Sequence, residues 1–158
     1  MSTQGAVCYT FEAAVEMAVK MEDNGFRNYL RAMAKVKDRQ AKMILKDAAL
    51  DELEHKHQLE KALVEGALEG EESMNRPVPT MNLDYVLKAK ELRADADARE
   101  ALAYAIHLEK EAVEFYRKMA AGCTGAPMGS IFEKIGNDET RHLKDLEDLY
   151  EKYFMTEN

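Results

Sequence analysis

The sequence predicts an all-α fold, a four-helix bundle with one long crossover between its second and third helices, and three observations lead there. The 158 residues hold only three prolines and eight glycines and are rich in Ala, Leu, Glu, Lys and Met, the residues that lose least on entering a helix. Apolar positions recur at alternating steps of four and three in four separate stretches. The chain also repeats itself: Glu139 and His142 stand 87 positions after Glu52 and His55, and the same offset carries Glu22 onto Glu109, Tyr29 onto Tyr116 and Gly25 onto Ala112. Two helix pairs in one domain, 1–158, follow from that repeat.

The first helix, about 10–36, opens at Thr10 as N-cap and carries the row Phe11, Val15, Ala18, Glu22, Gly25, Tyr29, Ala32, Val36. Asp38 caps the second, about 39–66, whose buried row is Leu45, Ala48, Glu52, His55, Leu59. Residues 67–96 form the crossover, held extended by Pro77 and Pro79, with a short helix opening at Asn82 or Asp84 and running to about Leu92. A connection this long lets helices 2 and 3 run parallel while the short turns make their neighbours antiparallel. Asp97 and Glu100 make a capping box for helix 3, about 97–121, with the row Leu102, Ala105, Glu109, Ala112, Tyr116, Met119, Cys123. Pro127 suits the first turn of helix 4, about 127–154, whose row reads Phe132, Ile135, Glu139, His142, Leu146, Leu149, Tyr153.

A formal charge of -8 disfavours nucleic acid and anionic membrane surfaces as partners. No uninterrupted apolar run approaches the ~18 residues that span a bilayer. Cys8 and Cys123 form no Cys-x-x-Cys, which argues against a zinc ribbon or a disulfide framework, and two packed or idle thiols in a reducing compartment are expected. With Glu12 and Glu16 where a signal peptide would be apolar, the expectation is a cytoplasmic protein.

Each row is apolar except near its middle, where it presents Glu22, then Glu52 with His55, then Glu109, then Glu139 with His142. Four carboxylates in one low-dielectric layer repel one another and are desolvated, a conflict that bound cations remove. Four carboxylates and two imidazoles suit two divalent metals of intermediate hardness per chain, such as iron or manganese. Residues three apart share a helix face, so Glu52 and Glu139 are assigned as bridges, Glu22 and Glu109 as terminal ligands, and His55 and His142 one to each metal. Asp51 and Asp138 are expected to accept the free imidazole N–H of the histidine on the opposite helix. Gly25 and Ala112 leave room beside the metals for oxygen-derived ligands, and Tyr29 and Tyr116 can donate hydrogen bonds to carboxylates or act as one-electron donors. A second Glu-x-x-His, Glu54 with His57, lies in a polar row and maps onto Arg141 and Lys144, so it is placed on the solvent face. His107 is likewise placed at the periphery. Buried salt bridges without metal are the competing account of the six residues.

With these residues laid out, the chain resembles the ferritin-like di-iron carboxylate proteins, and among them the rubrerythrin group. The resembling stretches are MEDNGFRNY at 21–29, DELEHKHQL at 51–59, AIHLEKEAVEFY at 105–116 and NDETRHLKDL at 137–146. The resemblance implies a ferritin-like fold, a pair of irons, a homodimer, and an oxidoreductase that reduces hydrogen peroxide or dioxygen. The family's rubredoxin domain, with two Cys-x-x-Cys pairs, has no counterpart here, which implies electrons from a separate donor protein. Rubrerythrins also place a further glutamate one turn after the helix 3 ligand, where this sequence has Ala112. A protein that binds or buffers iron, manganese or zinc without turnover is therefore the alternative.

Overall fold

The structure, a computed structural model, describes residues 7–83, 87 and 91–155. Four long helices form, α1 Phe11–Lys35, α2 Arg39–Glu65, α3 Ala98–Gly122 and α4 Gly129–Tyr150. A short 3-10 turn, Glu71–Met74, lies in the crossover, and a π-helical turn, Glu151–Met155, extends α4. Three of the predicted caps are made. Thr10 Oγ1 accepts from the Ala13 amide at 3.1 Å, Asp38 from Ala41 at 2.9 Å, and Asp97 from Glu100 at 2.9 Å, each satisfying one amide that the helix itself leaves unpaired.

The start of α4 differs from expectation. Pro127 lies in the turn and the helix begins at Gly129, because the Met128 amide is drawn off to the Cys8 carbonyl at 3.1 Å. A Cβ on Gly129 would stand 2.8 Å from the Cys123 carbonyl oxygen, so only glycine lets α3 and α4 join this closely.

The helix directions follow from what the crossover touches. It starts beside the N-terminal end of α4, where Lys134 pairs with Glu71, and runs along that helix. Asn137 Nδ2 donates to the Met74 carbonyl, Thr140 Oγ1 accepts from the Val78 amide, and Glu147 accepts from the amides of Met81 and Leu83 at 2.8 and 3.0 Å. Thus α2 ends and α3 begins at opposite ends of α4, so both run antiparallel to it and parallel to each other. The closest packing is within the pairs α1–α2 and α3–α4, and α2 also meets α3.

The apolar interior falls into two blocks and a flank. Ala14, Val15, Ala18, Leu59, Phe132 and Ile135 fill one end of the bundle, and Ala32, Val36, Leu45, Ala101 and Ala105 fill the other. Under the crossover, Leu83 packs with Ile106, Val113, Leu143 and Tyr150. That flank corrects the predicted row of α4. Leu149 and Tyr153 are 42% and 63% exposed, while Leu143, Glu147 and Tyr150 are buried, because the crossover covers the side of α4 next to the expected one. The short helix predicted near 82–92 falls largely outside the described residues; His107 Nε2 donates to the Leu87 carbonyl at 2.8 Å and so holds the crossover from the periphery of α3.

The two cysteines are not idle thiols. Cys8 and Cys123 form a disulfide, with Cα atoms 5.3 Å apart at a sequence separation of 115, because the segment before α1 folds back over the end of α3. The expectation of a reducing, cytoplasmic compartment loses one of its two supports with that correction. Among the described residues no helix is long and apolar enough to cross a membrane.

Two outcomes test this arrangement. Glu147→Ala leaves a buried amide and a half-buried one without their acceptor, so the metal-free protein should lose about 3 kcal/mol in urea unfolding; an unchanged midpoint would contradict the buried anchor. Under non-reducing denaturation the protein should show no reactive thiol, and Cys123→Ser should be less stable by on the order of 4 kcal/mol, since a cross-link over so long a loop constrains the unfolded chain.

Candidate metal centre

A polar layer separates the two end blocks of the core. Glu22, Glu52, Glu109 and Glu139, one from each helix, are between 2% and 5% exposed, and His55 and His142 fill the gap between α2 and α4. All six residues singled out from the sequence meet there. The imidazoles stack, their centroids 3.7 Å apart and their planes 9° from parallel. Both turn Nδ1 inward: His55 Nδ1 lies 3.8 Å from Glu22 Oε2, and His142 Nδ1 lies 3.4 Å from Glu139 Oε2.

The tyrosines complete the layer with the symmetry that the 87-residue repeat requires. Tyr29 on α1 donates across the bundle to Glu109 Oε1 and the Ala105 carbonyl, both at 3.3 Å. Tyr116 on α3 donates back to Glu22 Oε1 and the Ala18 carbonyl, both at 3.4 Å. Every member of one set is the offset partner of a member of the other, so a pseudo-two-fold axis passes through the layer. Gly25 serves the layer in a way the sequence reading did not foresee. A Cβ there would stand 3.1 Å from Cδ and Oε2 of Glu52, so the bare backbone makes space for that carboxylate. A cavity of about 50 Å³ remains beside Gly25, Ala112, Tyr29 and Glu22.

Electrostatics divide the six residues into proton holders and an ion pair. Burial, with the neighbouring carboxylates adding to it, pushes Glu22 and Glu109 well above the usual carboxylate range and Glu52 to about 11. Burial raises Glu139 too, but hydrogen bonds from the Glu22 carboxyl and from His142 outweigh it and hold that carboxyl well below the usual range. His142 is the other half of the pair: burial lowers it, Glu139 more than compensates, and it rises to about 9. His55 is lowered to about 4 by burial and by the charge on His142. Two groups of donors each fall within 4.8 Å, His55 with Glu139 and His142, and Glu22 with Glu52 and His55. His55 Nδ1 and Glu109 Oε2 are buried with no hydrogen-bond partner. An oxygen-and-nitrogen set holding surplus protons and orphaned acceptors is what a hard-to-intermediate divalent cation would satisfy.

Over residues 13–157 the chain matches the family model Rubrerythrin. The chain belongs to the rubrerythrin family. No match to a curated protein or to a solved structure was found. The resembling stretches identified in the sequence all lie inside the matched span, and the rubrerythrin assignment fits a bundle whose polar layer carries candidate carboxylate and histidine metal sites.

The residues around the layer are distributed less symmetrically than expected. Asp138 lies 3.2 Å from Arg141 Nη1 and 3.7 Å from Nε2 of His142, one turn along its own helix, rather than pairing with the histidine across the bundle. Asp51 feels the charge of His142 on the opposite helix, within a shared cleft. Glu54 and His57 are exposed, as their polar row predicts. Glu147 and the cysteine pair were missed. Glu147 sits eight residues after Glu139, on a face that reads as solvent until the crossover is placed on it.

The protonation pattern fixes a pH response. Glu22, Glu52 and Glu109 keep their protons to higher pH folded than unfolded, so each stabilises the metal-free fold fully below about pH 4.5 and loses that contribution as pH rises toward its folded value. His142 contributes fully below about 6.5 and loses its part as pH climbs through 9. Glu139 acts the other way, its contribution present above about 4.5 and lost as pH falls, and lowered His55 opposes the carboxyls below 6.5. The metal-free protein should therefore melt at progressively lower temperature from pH 7 to pH 9. Metal loading at pH 7 should release up to one proton from each of Glu22, Glu52, Glu109 and His142, read with an indicator dye in weak buffer; loading without release would show that the layer is already ionised.

Proposed function

We propose that this rubrerythrin-family chain binds two metal ions, iron in preference to manganese or zinc, and reduces hydrogen peroxide or dioxygen with electrons from a separate donor protein. The observation that carries the reading is the buried layer itself, with four carboxyls and two inward-turned Nδ1 atoms, two of whose acceptor atoms (His55 Nδ1 and Glu109 Oε2) are orphaned, in one layer of an otherwise apolar core. Glu22, Glu52, Glu109, Glu139, His55 and His142 would hold the metals. Iron would supply one-electron redox steps and a Lewis acid for the oxidant.

The chain's own residues do the rest. Glu52 and Glu139, central on facing helices, are suited to bridging, and Glu22 and Glu109 to terminal positions. Tyr116 and Tyr29 hold Oε1 of Glu22 and of Glu109, which leaves the other carboxylate oxygen of each directed to ligation. Both phenols are fully buried next to carboxylates and hold their protons well above the usual tyrosine range, from burial first and the acidic neighbours second. They are placed to deliver a proton, or an electron with it, without admitting water. The Asp138 carboxylate, on the Nε2 side of His142, keeps the protonated nitrogen outward and Nδ1 toward the layer. The cavity at Gly25 and Ala112 is large enough for a ligand the size of one water molecule or peroxide.

Ala112 favours the second reading, a protein that binds or buffers metal without turnover, because the further glutamate of rubrerythrins would stand at that position. A homodimer is the assembly the family implies, and sedimentation would test it.

One experiment separates the readings. Anaerobic titration of the metal-free protein with Fe(II) should saturate at two irons per chain, and stoichiometric peroxide should then oxidise them rapidly. Tyr29→Phe and Tyr116→Phe should keep the stoichiometry and slow that oxidation by roughly tenfold or more. Two irons bound but scarcely oxidised would establish the buffering role, and no binding would remove both readings.

A further inference from the structure

We propose that divalent cations reach the centre through the cleft between α2 and α4 at Ala48, Asp51 and Asp145; the proposal rests on the metal-binding reading above. The pseudo-two-fold axis creates two equivalent approaches past the stacked histidines, and the sequence has made them unequal. The first is a cleft of about 200 Å³ bordered by Ala48, Asp51 and Asp145, with Glu109 among its lining residues. Its offset partner is bordered by Ile135, Asp138 and Gln58, reaches Glu22, and retains only about 30 Å³.

Three differences account for the contrast. Ile135 fills the space that Ala48 leaves open. Leu68, Glu69 and Met74, from the start of the crossover, line the second approach, and among the described residues none from the crossover lines the first. Gln58 is neutral where Asp145 is charged and exposed. A wider groove of about 360 Å³ does run past the closed side, lined by Glu54, Glu69 and Asp138 as well as Arg141; Asp138 is paired with Arg141 and Glu69 with Lys61, and the groove reaches the imidazoles without reaching any of the four buried glutamates.

What the open cleft leads to is the group that lacks a partner. Glu109 is 5% exposed, lines that cleft, and its Oε2 has no hydrogen-bond partner. Its equivalent on the closed side, Glu22, has Oε2 within 3.8 Å of His55. At the mouth, Asp51 stands with Asp145, and both line the cleft. A file of carboxylates ending at an unsatisfied buried one raises the local concentration of a divalent cation and passes it inward, and low-dielectric walls such as Leu146 and Leu149 focus that field. The wild-type asymmetry thus separates delivery from containment, with a wide passage to Glu109 on one side of the histidine pair and only a narrow one to Glu22 on the side lined by the crossover.

Stopped-flow mixing of the metal-free full chain with Co(II), followed by the visible absorption of the bound ion, tests the route. Asp145→Gln, which copies the closed side, should slow uptake roughly threefold to tenfold at low salt, with the difference shrinking as salt rises. Ala48→Ile should slow it at every salt concentration. Gln58→Asp should leave the rate unchanged, and all three variants should finish at the wild-type two ions per chain. Wild-type rates in Asp145→Gln and Ala48→Ile, with normal stoichiometry, would overturn the route alone; if Ala48→Ile does not fold, the exposed Asp145→Gln decides by itself. A wild-type chain that takes up no cobalt would overturn the route together with the metal-binding reading beneath it.

Discussion

Four carboxyl groups enclosed in one layer of a helical bundle set the terms for the rest of this molecule. Each is removed from water by the apolar blocks above and below, and each stands in the field of the others, so without cations the layer is stable only by holding protons on Glu22, Glu52 and Glu109 and pairing Glu139 with His142. Such a layer works against folding unless its surroundings are rigid. The surroundings supply that rigidity from outside the layer: a disulfide closes one end of the bundle, side-chain caps begin three of the helices, and a crossover is fastened along α4 through Asn137, Thr140 and Glu147. The same unfavourable electrostatics that the fold must hold in place would give the candidate site affinity for cations, since binding would replace protons and repulsion with shared positive charge.

The internal repeat gives the layer its geometry, and the crossover takes that symmetry away selectively. At the tyrosines the symmetry is kept: each phenol reaches from its own helix to the carboxylate on the other, so α1 and α3 are tied to one another at two heights rather than by direct backbone packing. At the histidines it is not kept. The crossover can follow only one side of α4, and by doing so it buries Leu143, Glu147 and Tyr150, exposes Leu149, and covers one of the two approaches to the imidazoles. A single topological fact, that α2 and α3 run parallel and must be joined across the length of the bundle, therefore produces both the stability of α4 and the inequality of the two faces of the site.

This division also explains what could be read from the sequence. Helix number, three N-caps and all six residues of the polar layer were legible because they depend on local periodicity and on a repeat that survives as an exact offset between Glu52-x-x-His55 and Glu139-x-x-His142. Features created by non-local contact were not. Cys8 and Cys123 carry no spacing signal, and only the folding of the N-terminal segment over the end of α3 brings them together. Pro127 has the right chemistry to start a helix, but the Met128 amide finds the Cys8 carbonyl instead. Glu147 looks like any solvent-facing glutamate until a peptide segment with unpaired amides is laid on it. Asp138 was assigned across the bundle on symmetry, whereas its own helix offers His142 and Arg141 at shorter range.

The departures from strict symmetry lie where function would need them. Val36 is the offset partner of Cys123, and both are buried, so packing at the two ends requires only a small apolar group; the cysteine adds a covalent tie at the end where the chain begins. Gly25 and Ala112 are likewise partners, yet only at Gly25 does a carboxylate occupy the space of the missing Cβ. Glu52 is thereby drawn toward α1, while Glu139 is held by His142 and by Glu22. Two carboxylates that the repeat makes equivalent thus begin from different hydrogen-bonded positions and different protonation states, and two metals bound between them would not be held identically. On the proposed reading, Glu52 and Glu139 would hold a metal pair with unequal freedom to shift, a difference set by Gly25 on one side and by His142 and Glu22 on the other.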